Sequence, residues 1–258
     1  MEEILKVSNL SKKYQNKEGE VLALKNVNFR IKQGEFVSII GPSGCGKSTL
    51  LSIIAGLEEK TTGKIFLENK EIIGISPEIG YMLQKDCLLE WRNILSNTMF
   101  GLEIKGIKNK ENQKYVENLL KKYDLYEFRN KYPSELSGGM RQRVALIRTL
   151  ATKPKILLLD EAFSALDYQT RIMVTNDIYK ILKKEKITAL IVTHDISEAI
   201  SMSDRILVLS NRPGTIKDVH KIDFGTKNKT PLETRENPKF STYFNILWKE
   251  LREGWNKW

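Results

Sequence analysis

Apolar positions along this chain fall into two rhythms. Near the start, Ile4–Leu10, Val21–Leu24 and Val27–Ile31 are short, rich in β-branched residues and broken by Asn, Lys and Gly, which predicts antiparallel strands. Glu35–Ile40 is an apolar strand, and the Leu50–Leu57 segment after it has helical spacing that should end near Gly56. Lys64–Leu67 and Ile79–Leu83 again read as strands. From Ile94 to about Leu150 the rhythm changes. Val116, Leu119, Leu120 and Tyr123 recur at helical intervals with charges between them. Ile156–Leu159, Ala189–Thr193 and Ile206–Leu209 are then three more apolar strands with a helix between each pair. Strands alternating with helices build a parallel sheet covered on its faces. The expected fold is therefore α/β, with a parallel sheet core, an N-terminal antiparallel β subdomain and an inserted helical subdomain at about residues 88–152. Past Asp223 the pattern weakens through Gly225, Pro231 and Pro238 before an amphipathic stretch at Phe240–Leu251. Residues 1–222 are read as the main domain and 223–258 as a C-terminal tail.

Composition narrows the classes. The chain has 258 residues, and 42 Lys and Arg against 32 Asp and Glu give a net charge of +10. These charges are dispersed, as in Lys12-Lys13, Lys121-Lys122 and Lys183-Lys184, without an aromatic-and-basic stripe. That favours solvated helix faces over a nucleic-acid groove, and no nucleic acid is expected as partner. Attraction to an anionic membrane face is compatible with it. No apolar run approaches the ~18–20 residues that a spanning helix needs. Met1-Glu2-Glu3 has no signal-peptide character, and two cysteines, Cys45 and Cys87, exclude a disulfide framework. The expectation is a cytosolic protein that meets a membrane only from its surface.

Gly41-Pro42-Ser43-Gly44-Cys45-Gly46-Lys47-Ser48 matches G-x-x-x-x-G-K-[ST] between a strand and a helix. Glycines let successive N–H groups point inward as an anion nest, and the positive end of the helix from Lys47 adds to it. Lys47 brings a full positive charge, while the Ser48 hydroxyl, followed by Thr49, is placed to ligate Mg²⁺. Asp160-Glu161 ends the strand Ile156–Leu159. Strand neighbours point to opposite sides, so Asp160 is expected to hold Mg²⁺ through water and Glu161 to orient and deprotonate an attacking water. A P-loop kinase would place a second substrate where that water sits. A second helix opens at Leu136-Ser137-Gly138-Gly139-Met140-Arg141-Gln142-Arg143. Ser137 is a good N-cap and the glycines leave N–H groups uncovered, which suits either a second anion site or a plainly capped helix.

The P-loop, Leu136–Gln142, Ile156–Glu161, Ser164-Ala165-Leu166-Asp167 and His194 resemble, in order and spacing, the nucleotide-binding subunit of ABC transporters. The likeness runs from about Ile4 to Ile222. It implies a P-loop NTPase fold and ATP hydrolysis with Mg²⁺. It also implies two subunits, expected as a homodimer, each P-loop closing ATP against Ser137–Gly139 of the other with Asp167 at the interface. The resemblance further implies that Tyr14 stacks on adenine, Gln84 senses Mg²⁺ and the γ-phosphate, and His194 contacts the γ-phosphate. From residues alone, Tyr14 is equally a half-buried strand-edge aromatic, Gln84 a solvated strand end and His194 a structural histidine that neighbouring Asp195 could tune. His220 reads as surface. Cys45 reads as a small filler whose alkylation would block nucleotide entry, and Cys87 has no evident role.

Cys87-Leu88-Leu89-Glu90-Trp91-Arg92 is apolar for a loop, fit either for a docking groove or for burial on the helices. By resemblance it meets the integral membrane permease, placing the protein peripherally at the cytoplasmic face of the cell membrane. An extracytoplasmic solute-binding protein would then be an indirect partner. This loop and Ser210-Asn211-Arg212-Pro213-Gly214 resemble the nitrate, sulfonate and taurine importer branch. Glu90, where proline is common, and Ala162 and Ser164 depart from its pattern. A soluble ABC ATPase acting on nucleic acid or ribosomes is the alternative.

Overall fold

The computed structural model describes residues 2–16, 19–225 and 230–255. The chain opens with two long strands, β1 (Glu3–Asn16) and β2 (Gly19–Lys32), followed by β3 (Phe36–Ile40), α1 (Lys47–Ile54), β4 (Thr62–Leu67), β5 (Lys70–Glu71) and β6 (Ile79–Met82). Three helices come next, α2 (Ile94–Ile104), α3 (Lys110–Lys122) and α4 (Gly138–Leu150). The rest is β7 (Ile156–Asp160), α5 (Tyr168–Lys184), β8 (Thr188–Val192), α6 (Ile196–Met202), β9 (Arg205–Leu209), β10 (Ile216–Lys221), α7 (Pro231–Arg235) and α8 (Lys239–Trp255).

Two sheets form, an antiparallel one in the order β2-β1-β4-β5 and a six-stranded one in the order β10-β9-β3-β8-β7-β6. The second is parallel except for its edge, where β10 runs antiparallel to β9. Side-chain alternation splits the core across it. Leu157 and Leu159 of β7 join Val116, Leu120, Val144 and Ile178 under the helices. Ile156 and Leu158 join α1 and the antiparallel sheet, where Leu5, Leu24 and Leu51 are fully buried. A third cluster sets Ile206 and Val208 of β9 against Ile200 of α6 and Leu247 and Leu251 of α8.

Several local expectations change. Val21–Leu24 and Val27–Ile31 belong to one strand, because Asn26 is accommodated at a φ of 49° and Asn9 opposite at 50°. Asn28 ties both, accepting from the Asn9 N–H and donating to the Asn26 carbonyl. Short amide side chains tolerate this left-handed backbone, so these Asn residues mark bulges, not strand ends. Helix α1 does stop before Gly56, where φ is 75° and a Cβ would come within 2.1 Å of the Gly74 carbonyl oxygen. His220 is only 19% exposed at its side chain and lies against Glu250 of α8, since the C-terminal helix covers the end of the sheet.

Glu198 of α6 is a carboxyl with 4% exposure. Burial first, and then the Asp195 carboxylate, push its pKa up to about 8 against the pull of Arg171, Thr193 and Arg235. In the folded chain it keeps its proton below that pH, whereas the unfolded chain releases it above the ordinary carboxyl range. Folded stability therefore falls as pH rises across that window and levels off above it. Glu198→Gln should remove this slope. Urea unfolding at about pH 5, 7 and 9 should show the variant gaining on the parent with pH, by on the order of 3 kcal/mol at the top; parallel curves would disprove a buried, protonated Glu198.

Candidate functional site

A cavity of about 670 Å³ opens where the C-terminal ends of β3, β7 and β8 meet the antiparallel sheet. Its floor is the glycine loop between β3 and α1. Gly46 has a φ of 105°, and a Cβ there would press on Leu24 at 2.8 Å, so the loop's curvature demands glycine. Lys47 is 7% exposed, and its Nζ donates to the Gly41 carbonyl at 2.8 Å and the Pro42 carbonyl at 2.9 Å. A desolvated ammonium held by loop carbonyls at a helix N-terminus is a strong anion site.

Ser48 Oγ donates to Asp160 Oδ1 at 3.1 Å, and the Tyr81 hydroxyl donates to Asp160 Oδ2 at 3.0 Å. Burial lifts the Asp160 pKa, while the two hydroxyls and Lys47 oppose that rise. A hydroxyl and a carboxylate oxygen side by side, beside an anion nest, fit a hard divalent cation such as Mg²⁺.

Glu161 is not aimed by strand alternation. β7 ends at Asp160, and Glu161 takes a φ of 46° while its N–H donates to the Val192 carbonyl at 2.8 Å. This sparsely populated backbone turns its Oε2 to within 3.1 Å of His194 Nδ1, at the end of β8. The partner of His194 is thus Glu161. Asp195 faces the other way and caps α6, accepting from the N–H groups of Ser197 and Glu198.

Tyr14, Gly41, Pro42, Ser43, Gly44, Gly46, Lys47, Ser48, Thr49, Glu161 and His194 all line this cavity. Tyr14 donates to Thr49 Oγ1 at 3.4 Å, leaving its ring 37% exposed at the rim. Cys45 does not line it. Its thiol is 1% exposed, pressed towards Gly41, and burial raises its pKa, so the side chain offers no accessible thiolate for alkylation. Gln84 also lies off the wall. Its Nε2 donates to Ser164 Oγ at 2.9 Å, and Ser164 donates to the Glu161 carbonyl at 2.9 Å. Sequence reasoning passed over Arg212, which lines the cavity and donates to the Gly44 carbonyl, and Leu251 of α8. The run around Arg212 was a visible signal; Leu251 had none.

Ser137, Gly138, Gly139 and Asp167 stand elsewhere. Ser137 caps α4, accepting from the Met140 N–H, and Asp167 caps α5, accepting from Thr170. Gly139 is buried, and a Cβ would come within 2.8 Å of Val174, so close packing of α4 on α5 demands it. The tip of α4 is stapled to the loop after β6. Arg141 grips the Asp86 carboxylate with two nitrogens and reaches Glu90 at 2.6 Å, while Arg148 donates to the Cys87 and Asp86 carbonyls. Leu88 of that loop is buried and Trp91 is 75% exposed, so the segment is anchored and displayed at once.

Residues 24–164 match the ABC transporter family. An uncharacterized ABC transporter ATP-binding protein of Bacillus subtilis, YtlC, is 45% identical over 96% of this chain and 95% of its own. The nitrate import ATP-binding protein NrtD of Synechocystis is 38% identical over 96% of this chain and 95% of its own. Among solved structures, a dimeric bacterial ABC transporter cassette, MJ0796, superposes with a TM-score of 0.73 at 35% identity, covering 85% of this chain and 99% of that one.

Proposed function

Because this chain belongs to the ABC transporter family as an ATP-binding, ATP-hydrolysing subunit, we propose that it powers import of a small solute, of the nitrate, sulfonate or taurine kind, from the cytoplasmic face of the cell membrane. The observation that carries the catalytic reading is convergence. Lys47, Ser48 and the Glu161–His194 pair come from three strand ends onto one cavity, and Asp160 stands behind its wall, bonded to Ser48. The cargo class rests on relatives named for nitrate import, as above, and for taurine import, one from Jannaschia at 40% identity.

In this reading Tyr14 carries the adenine at the cavity rim, and the α1 N–H groups with Lys47 receive the phosphates. Lys47 exchanges its loop carbonyls for phosphate oxygens, so no buried cation is left unpaired at either stage. Ser48, Asp160 and Gln84 would hold Mg²⁺, which neutralises developing charge on the phosphates when bound. Glu161 accepts the proton of the attacking water, its carboxylate oriented by His194 Nδ1–H. The Gln84–Ser164 hydrogen-bond chain ends on the backbone carbonyl of Glu161, linking the glutamine to the turn that carries the base.

Ser137–Gly139 and Asp167 do not reach their own chain's cavity, which supports their supplying a second copy's site in a homodimer. The Arg141 and Arg148 contacts then make α4 and the Trp91 loop move together, transmitting closure to a permease docked at that loop. An extracytoplasmic solute-binding protein acts only through that permease. Residues 88–152 serve as this moving helical unit, while the 223–258 tail packs α8 on the sheet end and lends Leu251 to the cavity wall.

Glu161→Gln should bind ATP yet hydrolyse it roughly 10²- to 10⁴-fold more slowly, and should collect as an ATP-bound dimer on gel filtration; normal turnover would remove Glu161 as base. Ser137→Arg should abolish hydrolysis while the monomer's ATP affinity, read by fluorescent-nucleotide titration, stays within about twofold of the parent. Loss of nucleotide binding by the isolated variant would place Ser137 in its own subunit's site. Purification from native membranes should recover an integral permease with the chain, and recovery with nucleic acid or ribosomes alone would defeat the importer assignment.

A further inference from the structure

Outside the nucleotide cavity, one group of ligand-type side chains joins the sheet edge to the C-terminal helix. Asp218 and His220 are two apart on β10 and therefore share a face, and Glu250 reaches them from α8. One nitrogen and two carboxylate oxygens lie within 4.8 Å of one another. His220 Nε2 is 2.9 Å from Glu250 Oε1 and 3.8 Å from Asp218 Oδ2.

The contact is not a finished ion pair. His220 Nε2 and Glu250 Oε2 are both removed from solvent, and neither has a hydrogen-bond partner among the described residues. His220 Nε2 faces the other oxygen, Oε1, without bonding to it, and a buried polar atom left unbonded carries an unrelieved desolvation cost. Lys217 donates to the Glu250 backbone carbonyl at 3.4 Å, a contact that leaves the carboxylate Oε2 unrelieved.

We propose that Asp218, His220 and Glu250 bind a divalent transition ion, with Zn²⁺ as the type, completed by one water. Imidazole nitrogen with carboxylate oxygens suits Zn²⁺, whereas Mg²⁺ and Ca²⁺ call for oxygen alone. Zn–N and Zn–O bonds of about 2.0–2.2 Å set tetrahedral ligand edges near 3.4 Å, so side-chain rotation alone closes the site. The neutral imidazole would coordinate through Nε2, relieving the orphaned nitrogen. The ion would pin the end of α8 to the sheet edge. Leu251, the next residue, lines the nucleotide cavity and packs with Ile40 and Ile196, beside the glycine loop and His194. Metal occupancy therefore steadies one wall of that cavity.

Zn²⁺ binding to the full-length, nucleotide-free chain tests this independently of ATP hydrolysis. Isothermal titration with ZnCl₂ in millimolar Mg²⁺ should find one site, and ZnCl₂ should raise the thermal midpoint where MgCl₂ does not. His220→Asn and Asp218→Asn should each weaken Zn²⁺ binding by at least about tenfold. Asp218 is 55% exposed at its side chain, so its variant keeps the fold even if the histidine change loosens α8. Absence of a Zn²⁺ site in the parent, or unaltered binding by Asp218→Asn, would overturn the proposal and, in the second case, place the ion elsewhere.

Discussion

The buried cation Lys47 organises this molecule. Lys47 sits desolvated at the start of α1, and the loop that carries it must curl so that the Gly41 and Pro42 carbonyls accept its hydrogen bonds. That curl needs glycine at position 46, where Leu24 of the antiparallel sheet leaves no room for a side chain. The small sheet, the loop and the parallel sheet are thereby locked into one arrangement, with the positive end of α1 facing an open cavity. An arrangement that is satisfied without ligand but readily exchanges carbonyls for phosphate is suited to repeated loading and release.

Around this point the strand ends divide the chemistry. β7 delivers Asp160 towards Ser48, and a strained Glu161 turns to the histidine just past β8. The helical tips of α4 and α5 stay outside. Their caps are satisfied internally by Ser137 and Asp167, and tight glycine packing holds α4 on α5. The Arg141 and Arg148 contacts make the loop after β6 mechanically part of α4, including Glu90, which is expected to depart from the importer branch's pattern. A change at position 90 that looks like a departure in sequence is an additional ion pair in space.

Legibility followed locality. The glycine loop, the helix ends and the alternation of apolar strands and helices were readable because each depends on neighbours within one turn or strand. The break at Asn26 misled, since an Asn that tolerates left-handed backbone looks like a strand terminus. Asp195 was the nearest partner for His194 in sequence, but the partner in space is Glu161, from a different strand. His220 looked solvated because Glu250 lies far along the chain, on a helix whose amphipathic pattern does not reveal what it covers.

By itself the sequence determined the α/β class, the anion-binding loop and the ABC signature, because these rest on residue type and short spacing. Only tertiary structure decided that Gln84 reaches Glu161 through Ser164, that Arg212 and Leu251 join the cavity wall, and that Cys45 is shut away from it. It alone set the second helix tip away from its own chain's cavity. The reason is physical: long-range contacts are chosen by which apolar faces bury one another, and that choice is made by the whole core at once.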